Sequence, residues 1–158
     1  MDSDRGLLLI EDNASDIDLT KRAFEKGHVI NPLVVAEDGK EALDYIFGEG
    51  AYAGRDVNDL PALILMDLKL PRVSGLEVLR RIRGDPRTKR QPVVIFTSSK
   101  EQEDVIQGYN LGANGYVRKP IDSQQFAQAI AQLGLYWLVL SELPPSEKPR
   151  VNRASRPG

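Results

Sequence analysis

Residues 62–75 read ALILMDLKLPRVSG, an apolar run that ends at an aspartate and leads into a turn. The run Ala62–Met66 is apolar at every position, as in a parallel strand that helices cover on both faces. Asp67 follows the run, and the Leu70–Pro71 pair and Gly75 indicate a tight turn in which glycine permits an unusual backbone. The segment therefore predicts a buried parallel strand with a carboxylate at its end.

Four more short apolar runs occur along the chain, and amphipathic stretches separate all of them. The other runs are Leu7–Ile10, Leu33–Ala36, Pro92–Phe96 and Gly115–Val117. Strands that alternate with helices predict an α/β fold with right-handed crossovers. We therefore expect a doubly wound, five-stranded parallel sheet with helices on both faces.

Helix start signals stand between these runs. Asp38 with Glu41, and Ser74 with Glu77, have the spacing of a capping box, and Asp122 can cap a fifth helix. Residues that recur at helical spacing predict one face of each of the first and fifth helices: Ile17, Thr20 and Phe24, then Phe126, Ile130 and Leu133.

Two segments fall outside the repeat. Residues 48–61 form a polar loop with several glycines, longer than most connections in such folds. From Pro144 onward the chain is rich in proline and charge and lacks apolar periodicity. We expect one domain over residues 1–143 and a disordered tail over residues 144–158.

Composition excludes several classes of protein. The 158 residues, 41% hydrophobic and 28% charged, suit one packed domain, and the absence of cysteine excludes a disulfide scaffold and thiolate metal sites. The acidic N-terminus is unlike a secretory signal, and no apolar run is long enough to span a bilayer. A net charge of −2 does not favour binding to nucleic acid. We expect a cytoplasmic protein that does not bind membranes.

Reactive side chains follow four of the five predicted strands. Glu11 and Asp12 follow the first, Asp67 the third, Thr97 the fourth and Lys119 the fifth. In open α/β sheets, ligands bind beyond the carboxyl ends of the strands, where the strand order reverses. If the order is 2-1-3-4-5, three carboxylates, a hydroxyl and an ammonium group converge at one edge of the sheet.

That set of groups suits phosphoryl transfer. Clustered carboxylates raise one another's pKa unless a cation compensates their charge, and Mg²⁺ prefers one or two carboxylates together with water and phosphate oxygens. Asp67 can act as the nucleophile, while Lys119 and Thr97 stabilise the transferring oxygens. The residues themselves therefore predict transfer of a phosphoryl group to Asp67 with Mg²⁺ beside it.

Each of these residues alone has a simpler explanation. An aspartate after a strand more often caps a helix or forms a turn, and Asp12 and Asn13 could both do so. Thr97 alone would be an ordinary strand-end residue, and Lys119 alone a solvated one. Only their joint occurrence at four strand ends favours a site.

Four sequence segments resemble the motifs of bacterial response regulator receiver domains. They are LLLIEDN at 7–13, LILMDLKLPRVSGLEVLRRIR at 63–83, VVIFTSS at 93–99 and GANGYVRKP at 112–120. The resemblance covers roughly residues 5 to 140. It implies a flavodoxin-like sheet of order 2-1-3-4-5 in a phosphorylation switch of a two-component system.

The resemblance also assigns roles to the acidic residues. It implies that Asp67 is the phosphoacceptor and that Glu11 and Asp12 organise Mg²⁺. The backbone carbonyl of Lys69 would complete the protein ligands of the metal. Self-catalysed phosphorylation and dephosphorylation would be slow, so the protein would not be an enzyme in the ordinary sense.

Three further residues receive roles from the same resemblance. Thr97 and Lys119 would bind the phosphoryl group, and Tyr116 would be the aromatic residue that changes rotamer as Thr97 moves. The Lys119–Pro120 peptide bond would be cis. Phosphorylation would then act by changing protein–protein contacts around the fourth helix and the fifth strand and helix.

The long loop and the segment GLYWLVL at 134–140 resemble the stand-alone receivers that partner bacterial phytochrome histidine kinases. A sensor histidine kinase, specifically a phytochrome, is the partner that this resemblance implies. The apolar residues Leu135–Leu140 lack a polar face and predict a homodimer built with this end of the chain. Fewer than 20 residues follow the fifth helix, so we expect no DNA-binding domain.

Four alternative functions compete with this interpretation. A phosphatase of the haloacid dehalogenase type needs a second aspartate two residues after its nucleophile, where Ala14 follows Asp12 here. A flavodoxin-like electron carrier would not place acidic residues in its phosphate loop. No G-x-G-x-x-G follows a strand, which excludes a dinucleotide-binding enzyme. A pseudo-receiver, which keeps the fold without the chemistry, stays open.

Overall fold

A computed structural model describes residues 5–27, 29–98, 100–108, 111–120, 122 and 124–125, with the side chains of residues 105–108 left out. Five parallel strands form one sheet, in the order β2-β1-β3-β4-β5. The elements in chain order are β1 (Leu7–Ile10), α1 (Ala14–Lys26), β2 (Leu33–Ala36), α2 (Gly39–Phe47), β3 (Leu63–Asp67), α3 (Gly75–Gly84), β4 (Val93–Thr97), α4 (Lys100–Gly108) and β5 (Gly115–Arg118). The predicted α/β fold and strand order are confirmed.

Three strands, β3, β4 and β5, end one residue later than the sequence pattern predicts. Asp67 and Thr97 are the last residues of β3 and β4, rather than the first residues after them. Asp67 pairs with Phe96, and Thr97 pairs with Arg118, so both remain within the ladder. Both polar side chains are consequently held by a rigid strand instead of by a loop.

Apolar side chains fill both faces of the sheet. Leu9 and its neighbours on one face pack against Phe24 of α1, while Leu8 and its neighbours on the other face pack against Ile46 of α2 and Leu79 of α3. Full burial of each such side chain contributes about 1.5 to 3 kcal/mol to folding. This two-sided packing fixes the positions of the strand ends, where the polar residues lie.

The helix starts predicted at Asp38 and Ser74 are confirmed at the residue level. The side chains of Asp38 and Ser74 accept hydrogen bonds from the backbone N–H groups of Glu41 (2.7 Å) and Glu77 (3.2 Å). Asp122 Oδ1 likewise accepts from the N–H of Gln125 at 2.8 Å. Such bonds satisfy donors that have no partner within the helix. The predicted apolar face of the fifth helix, Phe126, Ile130 and Leu133, lies outside the described residues.

Gly75, the first residue of α3, is required because of space, and the expected unusual backbone does not occur there. A Cβ atom added there would lie 2.5 Å from the carbonyl oxygen of Asp67 and 2.8 Å from Cα of Leu68. The left-handed residue of this turn is Arg72, with a φ of 70°. The prediction of an unusual glycine conformation at Gly75 was therefore wrong. Close packing of α3 on the end of β3 explains the glycine.

The long loop at residues 48–61 is anchored to α2. Arg55 donates hydrogen bonds to the carbonyl oxygens of Tyr45 (2.6 Å) and Ile46 (3.3 Å), and to that of Asp59 (2.9 Å). Its guanidinium carbon also lies 4.2 Å from the centroid of the Tyr45 ring. Because the last carbonyls of a helix lack internal partners, one arginine both caps α2 and orders the loop.

Several sequence-based predictions lie outside the described residues. They concern the disordered tail over residues 144–158, the boundary at residue 143 and the apolar segment Leu135–Leu140. Within the part of the chain that the structure describes, no helix is both long enough and apolar enough to cross a membrane.

Candidate functional site

Three carboxylates meet at the carboxyl ends of β1 and β3. Each of Glu11, Asp12 and Asp67 places one carboxylate oxygen within 4.8 Å of the oxygens of the other two. Glu11 is fully buried, Asp67 is largely buried, and Asp12 is exposed. These neighbouring strands meet where the strand order reverses, which is the position that the sequence analysis assigned to a ligand site.

Lys119, just after β5, extends its ammonium group into this acidic cluster. Its Nζ atom lies 2.9 Å from Asp67 Oδ2, 2.8 Å from Asp16 Oδ2 and 3.3 Å from Glu11 Oε1. The side chain of Lys119 is only 18% exposed. The predicted meeting of an ammonium group with the carboxylates is therefore present in the structure.

The charges of the site perturb one another. Burial, together with the negative charge of Asp67, raises the pKa of Glu11 from 4.5 to about 7, although Lys119 opposes the shift. Burial lowers the pKa of Lys119, but its hydrogen bonds to Asp16 and Asp67 outweigh that effect and raise the pKa above its usual value. The site thus holds a firmly charged ammonium group beside a carboxyl group that resists ionisation.

The predicted phosphoryl ligand Thr97 is close by in the fold but bonds elsewhere. Its backbone carbonyl accepts a hydrogen bond from the N–H of Lys119 at 2.8 Å, which ties the ends of β4 and β5 together. Its hydroxyl donates to Glu103 Oε2 of α4 at 3.3 Å. Tyr116 is half-buried and packs against the apolar layer that includes α2 and α3. The Lys119–Pro120 bond is cis, as expected.

Two acidic residues of this region were missed by the sequence analysis. Asp16, in the first turn of α1, binds Lys119, and Glu103, in α4, binds both Thr97 and Arg118. Neither residue directly follows a strand, so the strand-end argument could not find them. The usable signal was the cap at Asn13, which accepts from the N–H of Asp16 at 2.9 Å and places this first turn beside the strand ends.

The buried carboxylate of Glu11 indicates that the acidic cluster suits a cation. Glu11 Oε2 accepts a hydrogen bond from the N–H of Asn13 at 3.2 Å, whereas Oε1 accepts none despite its proximity to Lys119. A buried carboxylate oxygen without a hydrogen bond is costly, and oxygen ligands of this kind are those that Mg²⁺ binds. The donor set therefore fits a hard divalent ion.

Comparison with known proteins identifies the family of this chain. The model for the response regulator receiver domain matches residues 7–131. The chain belongs to the response regulator receiver domain family. Receivers bind Mg²⁺ or Mn²⁺ at an acidic pocket, and Glu11, Asp12 and Asp67 form an acidic cluster in this receiver.

Similar proteins include two that are named as phytochrome response regulators. The receiver is 46% identical to the bacteriophytochrome response regulator RtBRR, with a TM-score of 0.82 over 90% of this chain and 85% of that one. It is 37% identical to the phosphorylated cyanobacterial phytochrome response regulator RcpA, with a TM-score of 0.69 over 89% of this chain and 99% of that one.

A third relative has a metal-bound structure. Response regulator Rcp1 of Synechocystis sp. is 33% identical over 138 residues, which are 87% of this chain and 92% of Rcp1. The Mn(2+)-bound form of Rcp1 superimposes with a TM-score of 0.69 at 32% identity, over 89% of this chain and 99% of that one. The receiver is thus a two-component response regulator, close to the single-domain phytochrome response regulators. The family match leaves the pseudo-receiver as the surviving alternative.

Proposed function

We propose that this receiver accepts a phosphoryl group on Asp67 from a sensor histidine kinase and thereby changes its protein–protein contacts. The observation that carries the proposal is the position of Lys119 Nζ, 2.9 Å from Asp67 Oδ2 at the edge of a three-carboxylate cluster. Lys119 thereby compensates part of the negative charge that would otherwise repel an incoming phosphoryl group.

In the proposed step, a carboxylate oxygen of Asp67 attacks the phosphorus of a phosphohistidine. The new O–P bond forms as the N–P bond breaks, and the bonding electrons return to the imidazole nitrogen of the kinase. Asp67 ends the central strand β3, which holds the nucleophile in place, and 12% of its side chain remains exposed to an incoming donor.

Mg²⁺ is the cofactor that we propose for this site. Glu11, Asp12 and Asp67 would supply carboxylate oxygens, and the backbone carbonyl of Lys69 would complete the protein ligands. The N–H of Lys69 donates to Asp67 Oδ1 at 3.3 Å, which keeps this segment beside the acceptor. When bound, Mg²⁺ neutralises negative charge on the transferring oxygens.

Lys119, Thr97 and Tyr116 would respond to the new phosphoryl group. Lys119 is already charged and aimed at Asp67, so it would bind one phosphoryl oxygen with little rearrangement. Thr97 would turn its hydroxyl toward another oxygen, and Tyr116 would change rotamer with it. The consequence would be a changed surface at α4 and β5, which flank Thr97.

A phytochrome histidine kinase is the partner that the comparisons support best. RtBRR and RcpA are both described as phytochrome response regulators, and this receiver covers most of each of them. RcpA has been crystallised in phosphorylated form and Rcp1 with Mn²⁺ bound. These two relatives support both the phosphorylation and the metal that we propose here.

The test is intact mass spectrometry after incubation with acetyl phosphate and Mg²⁺. We expect one added phosphoryl group on the wild-type receiver, lost in Asp67→Asn and in the presence of a chelator. Asp59→Asn, at an exposed aspartate in the 48–61 loop, is the matched control and should label like the wild type. A wild type that gains no mass and binds no Mg²⁺ would instead be a pseudo-receiver.

A further inference from the structure

A hydrogen-bonded cluster joins α4 to the ends of β4 and β5. Glu103 Oε2 accepts from Thr97 Oγ1 at 3.3 Å and from Arg118 NH2 at 3.1 Å. Thr97 ends β4, Arg118 ends β5, and the two residues are paired in the sheet. A single carboxylate oxygen therefore binds two strand ends to the first turn of α4.

We infer that Glu103 is a positioning residue that holds Thr97 in the unphosphorylated state and so opposes phosphorylation of Asp67. The inference rests on the proposed function, in which the Thr97 hydroxyl binds a phosphoryl oxygen. A hydroxyl has one proton to donate. The same proton cannot serve Glu103 and a phosphoryl oxygen together, so the two bonds compete.

The surroundings strengthen the bond to Glu103. Thr97 is fully buried, and the Glu103 side chain is 19% exposed, so water competes weakly for either partner. A hydrogen bond to a carboxylate is stronger than one between neutral groups. Arg118, 49% exposed, contacts the same oxygen from the neighbouring strand and fixes its position.

The competition makes α4 sensitive to the state of Asp67. When Thr97 donates to a phosphoryl oxygen, Glu103 keeps its bond to Arg118 and loses its bond to Thr97, while Gln102 of α4 still accepts from Ser98 just after β4. An interaction present in one state alone shifts the equilibrium by its own free energy. Glu103 would thus set how readily the receiver accepts a phosphoryl group, and would link that event to the position of α4.

The test compares Glu103→Ala with Glu101→Ala. Both glutamates lie in the first turn of α4, so both substitutions remove the same favourable charge from the helix N-terminus, but only Glu103 contacts Thr97. We expect Glu103→Ala to raise the initial rate of phosphorylation by acetyl phosphate about fivefold, and Glu101→Ala to stay within about twofold of wild type. Glu103→Gln keeps a neutral hydrogen-bond acceptor, so its initial rate of phosphorylation should lie between the rates of the two alanine variants.

A second readout separates positioning from a merely structural role. The methyl resonance of Thr97 in selectively labelled protein should move on phosphorylation of the wild type. In unphosphorylated Glu103→Ala, the Thr97 methyl resonance should already lie closer to its position in the phosphorylated wild type. A purely structural role would lower stability without moving this resonance or raising the rate.

The outcomes distinguish the two proposals. If the wild type takes up no phosphoryl group, the proposed function and this inference both fail. If the wild type is phosphorylated but Glu103→Ala matches Glu101→Ala in rate and resonance, only the role of Glu103 is overturned. Should Glu103→Ala fail to fold, Arg118→Gln replaces it, with an expected rise of about twofold; an unchanged rate there also overturns the role.

Discussion

At the residue scale, the buried charge of Glu11 has the clearest consequence for stability. Its carboxyl group is fully buried, and its pKa is raised from 4.5 to about 7 by burial and by the charge of Asp67. A raised pKa in the folded state means that folding favours the protonated form. The stability that Glu11 contributes is fully present below pH 4.5 and is lost as the pH rises through about 7.

We therefore expect Glu11→Gln to flatten the pH dependence of the metal-free receiver. Between pH 4.5 and 8 the free energy of unfolding should fall by on the order of 1 to 3 kcal/mol more in the wild type than in the variant, because glutamine does not ionise. Urea unfolding with a chelator at several pH values measures this difference. Glu25→Gln, at an exposed position of α1, should behave like the wild type. The same dependence of unfolding free energy on pH in wild type and Glu11→Gln would contradict the expectation.

Some residues of the site can be recognised from their place in the sequence, and others cannot. Glu11, Asp67 and Thr97 were found because each stands at the end of an apolar run, and parallel strands bring their ends together. Asp16 and Glu103 stand inside helices, and their contacts depend on how α1 and α4 rotate about their own axes. That rotation is set by packing, which no local pattern specifies.

At the element scale, α3 is placed by its contact with the end of β3. Gly75 begins the helix against the backbone of Asp67 and Leu68, whereas at Gly84, its last residue, a Cβ would meet no atom within 4 Å. The two glycines therefore provide a matched pair within one helix.

Gly75→Ala should destabilise the receiver by roughly 2 to 4 kcal/mol, because the new methyl group must displace backbone atoms at β3. Gly84→Ala should leave stability unchanged or raise it by up to about 1 kcal/mol, since alanine favours a helix. Urea unfolding of both variants makes the comparison. Equal stability of the two would show that α3 does not pack closely on the proposed phosphoacceptor.

At the scale of the whole molecule, self-association stays a prediction. The apolar segment Leu135–Leu140 lies outside the described residues, and we propose that it forms a homodimer interface. Light scattering across a concentration series should give a dimer for the wild type and a weakened dimer for Trp137→Ala. The exposed apolar residue Ile30, substituted as Ile30→Ala, is the control. A wild type that remains monomeric at high concentration would end the proposal.

The sequence by itself determined the fold and most of the proposed site. Alternating apolar runs and capped helices specify strands and helices locally, and a parallel sheet then has few permitted topologies. Glu11, Asp12, Asp67 and Lys119 meet as a direct result, because each lies at the same end of its strand or directly beyond it. Only the tertiary structure decided the bond of Lys119 to Asp16 and the bond of Thr97 to Glu103. Side-chain bonds to Asp16 and Glu103 join residues on separate elements, and their geometry exists only once those elements have packed.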